Sequence, residues 1–158
     1  MSKLSMVFKK LQSDILENSE IIKIDVYKES RKIKVVAWFE NLLPYNELME
    51  LQSEIQKQYL LNGIEINPVY SSALLNGDIL DYIIPYLETP QAAALFSGAK
   101  CSYHDNTLSI ETVIMYMPSL DLEAKIASLI KKQFNMNVNV VITQGKSDEE
   151  ILNDYEKL

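Results

Sequence analysis

Ser30 to Leu48 reads SRKIKVVAWFENLLPYNEL, and its change of period in mid-stretch sets the architecture. Ile33, Val35, Ala37 and Phe39 alternate with their neighbours, as in a strand with one buried face. The polar Lys28–Arg31 segment precedes them, and before it Ile22, Ile24 and Val26 alternate with Lys23, Asp25 and Tyr27. The two runs predict a hairpin. After Phe39 the spacing becomes helical. Pro44 stands where a helix starts without loss, since its missing N–H has no partner in the first turn. Leu48, Leu51, Ile55 and Tyr59 then form an apolar stripe. Asn62–Gly63 is the expected C-cap, and Ile64-Glu65-Ile66 a third strand stopped by Pro68.

Asn106 to Ala124, NTLSIETVIMYMPSLDLEA, repeats the construction with different residues. Lys100–Tyr103 and Leu108–Met115 flank a predicted turn at His104-Asp105-Asn106. Pro118-Ser119 opens a helix carrying Asp121 and Glu123 early and Lys131 and Lys132 late, the order that suits the helix dipole. Leu122, Ile126, Leu129 and Ile130 form its buried face, and Val138, Val140 and Ile142 a closing strand. Helical material precedes each unit. Leu4, Phe8, Leu11 and Ile15 predict one opening helix. Leu75, Ile79, Ile83 and Tyr86 predict another over Ser71–Leu87, bent or ended by Pro85. Thr89-Pro90 is an N-cap and first helical position for a short helix closed by Gly98.

The expected fold class is therefore α+β, with two small ββαβ modules and helices on one face of each sheet. Residues 1–72 form the first module and 73–144 the second. Residues 145–158 form an acidic linker in which Ser147 and Glu150 make a capping box. That linker stops in mid-pattern, as a segment leading into a longer chain would. The order helix-helix-β-β-helix-β in residues 73–143 also suggests a K-homology-like shape. Such folds grip single strands through a Gly-x-x-Gly loop between helices. The corresponding junction here, Leu87-Glu88-Thr89-Pro90-Gln91, has no glycine, so the likeness is to a degenerate form.

Composition narrows the function classes. The 158 residues are 47% hydrophobic and 23% charged, with 4 glycines and 5 prolines, a globular balance. The net charge of −7 argues against a dedicated nucleic-acid binder. Lys9, Lys10 and Asp14 break any signal-peptide core, and the apolar runs are strand-sized, so neither secretion nor membrane insertion is expected. One cysteine, Cys101, excludes an internal disulfide and fits a cytoplasmic protein. No phosphate-binding glycine motif is present. His104 and Cys101 offer two ligands where a metal site needs three or four. No catalytic residue, metal site or cofactor is expected. One feature departs from the acidic background: Lys28, Arg31, Lys32 and Lys34 cluster against Glu29 alone. They are the candidate interaction patch.

The run IIKIDVYKESRKIKVVAWFENLLPYNEL, with its Ser-Arg-Lys turn and Leu-Pro-aromatic helix start, resembles the N-terminal region of the PolC-type DNA polymerase III alpha subunit, the replicative polymerase of low-GC Gram-positive bacteria. LLNGDILDYIIPYLE, the Leu-Ser-Ile strand with its helix, and the acidic tail extend the resemblance over nearly the whole chain. It implies two small modules ahead of an oligonucleotide-binding fold, a PHP domain interrupted by a proofreading exonuclease, and the polymerase domain. The parent would be a DNA-directed DNA polymerase with 3′–5′ exonuclease. No catalytic carboxylate of that enzyme falls in this stretch. The implied role is a non-catalytic docking module for replisome proteins, the clamp loader or helicase machinery, with at most weak nucleic-acid contact. A weak nucleic-acid-binding module of K-homology-like shape and a free-standing cytosolic ligand-sensing domain of ferredoxin-like type are the alternatives.

Overall fold

The computed structural model describes residues 2–116 and 120–145. In chain order the elements are α1 (Leu4–Val7), α2 (Asp14–Glu17), β1 (Ser19–Tyr27), β2 (Lys32–Phe39), α3 (Tyr45–Gln58) and β3 (Gly63–Val69). A single 3-10 turn (Ser72–Leu74) follows, then α4 (Leu80–Tyr86), α5 (Pro90–Leu95), β4 (Lys100–His104), β5 (Thr107–Thr112), α6 (Leu122–Phe134) and β6 (Asn139–Gln144). The class is α+β, with two three-stranded sheets ordered β1-β2-β3 and β4-β5-β6. Each sheet has one antiparallel hairpin and one parallel pair joined through a helix. Cα packing divides the chain into two units, Met1–Leu74 with Lys132–Asn135, and Leu75–Lys131 with the residues from Met136 on.

In the first unit the β1–β2 ladder steps from Ile21↔Ala37 to Lys23↔Val36, leaving Ile22 unopposed in a bulge. Residues opposed across a ladder share a face. Ser19 and Ile21 before the bulge, and Ile24 and Val26 beyond it, therefore share the face of Phe39, Ala37, Val35 and Ile33. On that face α3 packs against β3. Leu48, Leu51 and Ile55 are buried there with Val35, Ala37, Phe39 and Ile66. Gln52 of α3 accepts the Ile66 N–H through Oε1 at 2.7 Å, so the helix satisfies a backbone donor of β3. Pro68 does not stop this strand; it sits inside β3 opposite Ala37. An edge strand tolerates proline because alternate N–H groups have no neighbour to reach.

The single helix expected over Leu4–Ile15 is two four-residue helices. Ser13 Oγ accepts the Ile15 N–H at 3.2 Å and restarts the helix there. Buried Ser19 ties both to the sheet: its hydroxyl accepts the Leu4 N–H at 3.0 Å and donates to the Leu16 carbonyl at 2.6 Å. The end of α3 also differs from expectation. Leu60, not the Asn62–Gly63 pair, takes the left-handed conformation, with φ 53°, and Gly63 already begins β3.

In the second unit, the helix expected over Ser71–Leu87 is shortened to α4, with Pro85 in its last turn. Asn76 Oδ1 accepts the Asp78 N–H at 2.8 Å, a local turn that competes with helix. Gly77 is packed so that a Cβ would lie 3.2 Å from the Cys101 carbonyl oxygen. Thr89 is extended ahead of Pro90, but its hydroxyl donates to the Leu87 carbonyl at 3.1 Å and does not cap α5. Gly98 has φ 71°, ending that helical stretch as expected. Asp105 and Asn106, with φ 49° and 59°, form the two-residue turn between β4 and β5. Leu122, Ile126 and Ile130 of α6 are buried with Leu108, Ile110 and Ile142. The helix start expected at Pro118-Ser119 and the Ser147–Glu150 capping box lie outside the described residues. The K-homology likeness gains no specific support from this arrangement.

Two outcomes follow from these local geometries. Leu60 is 76% exposed, so its left-handed backbone is strained with little packing in return. Leu60→Asn should stabilise the chain by about 1 kcal/mol, read as a higher urea midpoint; a lower midpoint would contradict the strain. In the second unit, burial and then the Asp78 carboxylate push the Cys101 thiol from 9.0 up to about 11. Between those values the unfolded chain releases the proton while the folded chain keeps it, so this thiol's contribution to stability is constant below pH 9 and falls towards pH 11. Iodoacetamide alkylation of the native chain should therefore reach half its maximal rate near pH 11, and a half-point at or below that of a free thiol would contradict the burial.

Candidate functional site

The hairpin of the first unit carries Lys28, Arg31, Lys32 and Lys34, and the fold gives the four different surroundings. Arg31 has φ 55°. Its Nε donates to the Leu60 carbonyl at 3.0 Å and its Nη2 to the Tyr59 carbonyl at 3.4 Å. These are carbonyls freed at the end of α3, where a cation is favoured by both hydrogen bonding and the helix dipole. The Arg31 carbonyl in turn accepts the Asn62 N–H at 2.8 Å, and Asn62 Nδ2 donates to the Ser30 carbonyl at 2.9 Å. The basic turn is thereby clasped to the loop that leads into β3.

Lys32 and Lys34 lie two residues apart on β2, on the face away from α3. Lys32 is opposite Gly63, and its stem lies 3.5 Å from where a Cβ on that glycine would be. Lys34 is opposite Asp25 on one side and Glu65 on the other, with its Nζ 4.0 Å from Glu65 Oε2. Lys23 joins the same face and stands 3.6 Å from Asp25 Oδ2. This is a face of mixed sign. Exposed pairs like these contribute little to stability, yet they lower the local positive potential that a phosphate backbone would meet. Lys28 is exposed in the turn itself.

Beside this face runs the outer edge of β1. Ser2 accepts the Ile21 N–H at 2.7 Å, which covers the start of that edge. Further along, Ile24 and Val26 are 36% and 55% exposed although they lie on the apolar side of the sheet, and Ile22, unopposed in the bulge, is 59% exposed. Sequence alternation marked these three as buried; α3 covers β2 and β3 and leaves β1 open. On the far side of α3, Met49, Gln56, Leu60 and Ile64 line a shallow groove of about 600 Å³. A smaller cleft of about 220 Å³ is rimmed by Asp14, Glu40 and Glu47.

Among the described residues the second unit contributes no comparable cluster. His104 Nε2 is 3.3 Å from Asp105 Oδ2, both side chains largely in solvent, and Cys101 lies three residues back along β4. Among the described residues no three His, Cys, Asp or Glu side chains converge on a possible metal position. Thr112, buried, donates through its hydroxyl towards the Ile114 and Thr143 carbonyls at 2.6 and 3.2 Å, a structural tie across β5 and β6. No described helix is long and apolar enough to cross a membrane.

Comparison with known proteins gives three findings. The PrgH periplasmic domain is a solved structure with 14% identity and a TM-score of 0.26, covering 84% of this chain while the chain spans 63% of its length. A likeness at that level supports no inference. Among curated proteins, none matches. A family model described as DNA polymerase III polC-type N-terminus I matches residues 1–67, a span that lies within the first packing unit and contains its whole helix-crossover construction up to the middle of β3. Over those residues, less than half of the chain, the sequence is similar to the family of polC-type DNA polymerase III N-terminal regions.

Proposed function

We propose that this chain is the non-catalytic N-terminal portion of a PolC-type replicative DNA polymerase III alpha subunit, and that it docks the polymerase to other replisome proteins in the cytoplasm. The observation that carries this reading is the family match over residues 1–67. The surface chemistry is in keeping with a docking role. Protein interfaces favour apolar centres bordered by mixed polar groups, and the first unit presents open apolar strand residues beside the Lys23, Asp25, Lys34 and Glu65 charges. The parent chain would supply the DNA-directed polymerase and 3′–5′ exonuclease activities from domains further on, and this portion would set where the enzyme works. The partner would be the clamp loader or the helicase machinery.

The same surfaces weigh against nucleic-acid binding as the main role. Arg31 is committed to the end of α3, Lys34 is shared with Glu65, and the whole chain carries −7. Non-specific affinity for DNA rises with the number of phosphates neutralised, and few cations here are available for that.

Two experiments test the proposal. Removing residues 1–145 from the parent polymerase should leave primer extension on a short primed template within about twofold, because transition-state contacts lie elsewhere. Synthesis coupled to the clamp loader or helicase should fall instead. Loss of simple extension to the same degree would overturn the docking reading. Titration of labelled single-stranded DNA into the chain should give a dissociation constant no tighter than the non-specific range of about 10⁻⁴ to 10⁻⁶ M and steeply weaker with salt. The Lys28/Lys32/Lys34→Glu variant should abolish that residual binding. Salt-resistant binding that survives the charge reversal would return the nucleic-acid role to first place.

A further inference from the structure

The free run of β1 is bounded on both sides. Ser2 occupies the edge at Ile21, and the turn begins after Tyr27. Between them stands Ile22-Lys23-Ile24-Asp25-Val26: Ile24 and Val26 are exposed on the α3 side, Lys23 and Asp25 lie on the other, and Ile22 is exposed in the bulge. Alternate residues of an edge strand turn their N–H and C=O groups outward, which offers a template for another strand. The other edge of this sheet differs: Gln52 already holds the Ile66 N–H of β3.

Lys23-Ile24-Asp25, in continuous register on β1, is complementary to itself when run antiparallel about Ile24. In that register Ile24 opposes its own copy and Lys23 opposes Asp25, twice over by symmetry. Moving the dyad by one residue would set Asp25 against Asp25 or Lys23 against Lys23, and like charges directly opposed are unfavourable. Charge and apolarity therefore select one register and one occupant. We infer that the outer edge of β1 pairs with the same strand of a second copy of this chain, joining two three-stranded sheets into one of six across a two-fold axis at Ile24. The Ile24 side chains of both copies, with Val26 beside them, then cover one another, and a self-matched patch is what two-fold association requires. The contact is short, five residues a side, so the association is weak and reversible. This inference does not rest on the docking role, since its elements all lie within the first unit.

Sedimentation of the 158-residue chain up to about 1 mM, where a small interface becomes populated, should show a monomer–dimer equilibrium. Lys23→Asp and Asp25→Lys, each placing two like-charge oppositions at the axis, should each weaken dimerisation by about tenfold. The double exchange Lys23→Asp/Asp25→Lys should restore it to within about threefold, since both cross-strand attractions return. In a Cys101→Ser background, Ile24→Cys should give a disulfide-linked dimer on mild oxidation, because opposed residues of an antiparallel pair lie about 4.5–5.5 Å apart at Cα. Val26→Cys should not, since it lies two residues from the axis and does not oppose its own copy. A chain that stays monomeric throughout, a dimer indifferent to both single charge changes, or cross-linking through Val26→Cys equal to that through Ile24→Cys would each overturn the inference.

Discussion

A parallel strand pair joined by a helix forces the helix to end where the first strand began. In both units that place is already taken by a hairpin turn, and the rest of the structure is arranged around making the two compatible. Gly63 comes to lie opposite Lys32 and Asn139 opposite Thr107, each the first residue after its turn. The Asn62 N–H then reaches the Arg31 carbonyl at 2.8 Å, and the Asn139 N–H reaches the Asn106 carbonyl at 3.0 Å. An asparagine side chain doubles the bond in each case, from Asn62 to Ser30 in the first unit and from Asn106 to Asn137 in the second. Leu60 and Asn135, with φ 53° and 54°, turn each helix sharply enough to permit it. The repeated clasp has the same backbone logic with the asparagine donor on opposite partners.

The clasp also explains why a conspicuous basic cluster is a poor guide to binding. In the linear chain Lys28, Arg31, Lys32 and Lys34 form a single cationic run. In the folded unit Arg31 serves the end of α3, and strand alternation sends Lys32 and Lys34 to a face furnished with Asp25 and Glu65. Sequence neighbours share a charge environment only if the backbone keeps them together, and a turn entering a strand separates them.

Much of the fold was legible because it depends on periods. Alternation over residues 33–39 and 108–110, and helical spacing over 48–59 and 122–130, each report a buried face, and both three-stranded sheets follow from them. What was not legible depends on partners. The bulge at Ile22 exists only against Val36 and Ala37, and no side chain announces it. Leu60 takes a conformation that asparagine or glycine usually marks, so Asn62–Gly63 drew the cap two residues too far. Pro68 reads as a strand stop unless β3 is known to be an edge. The exposure of Ile24 and Val26 is the same kind of case: alternation shows which face they take, but not how far α3 extends over it. In the candidate site, residue identity gave the charges and pairing gave their company.

The parallel closure of each sheet bears on how the chain emerges from the ribosome. The β1–β2 hairpin is local and forms early, but its apolar face of Val35, Ala37 and Phe39 is covered only once α3 and β3 have been synthesised. From Lys32 to Gly63, its opposite number, elongation takes about 2–6 s at roughly 5–20 residues per second. For that interval the nascent chain holds a two-stranded sheet with a bare greasy side. The second unit repeats the wait between Thr107 and Asn139. A chain built from two helix-crossover sheets thus passes twice through a window in which its hydrophobic surface depends on chaperones or on speed.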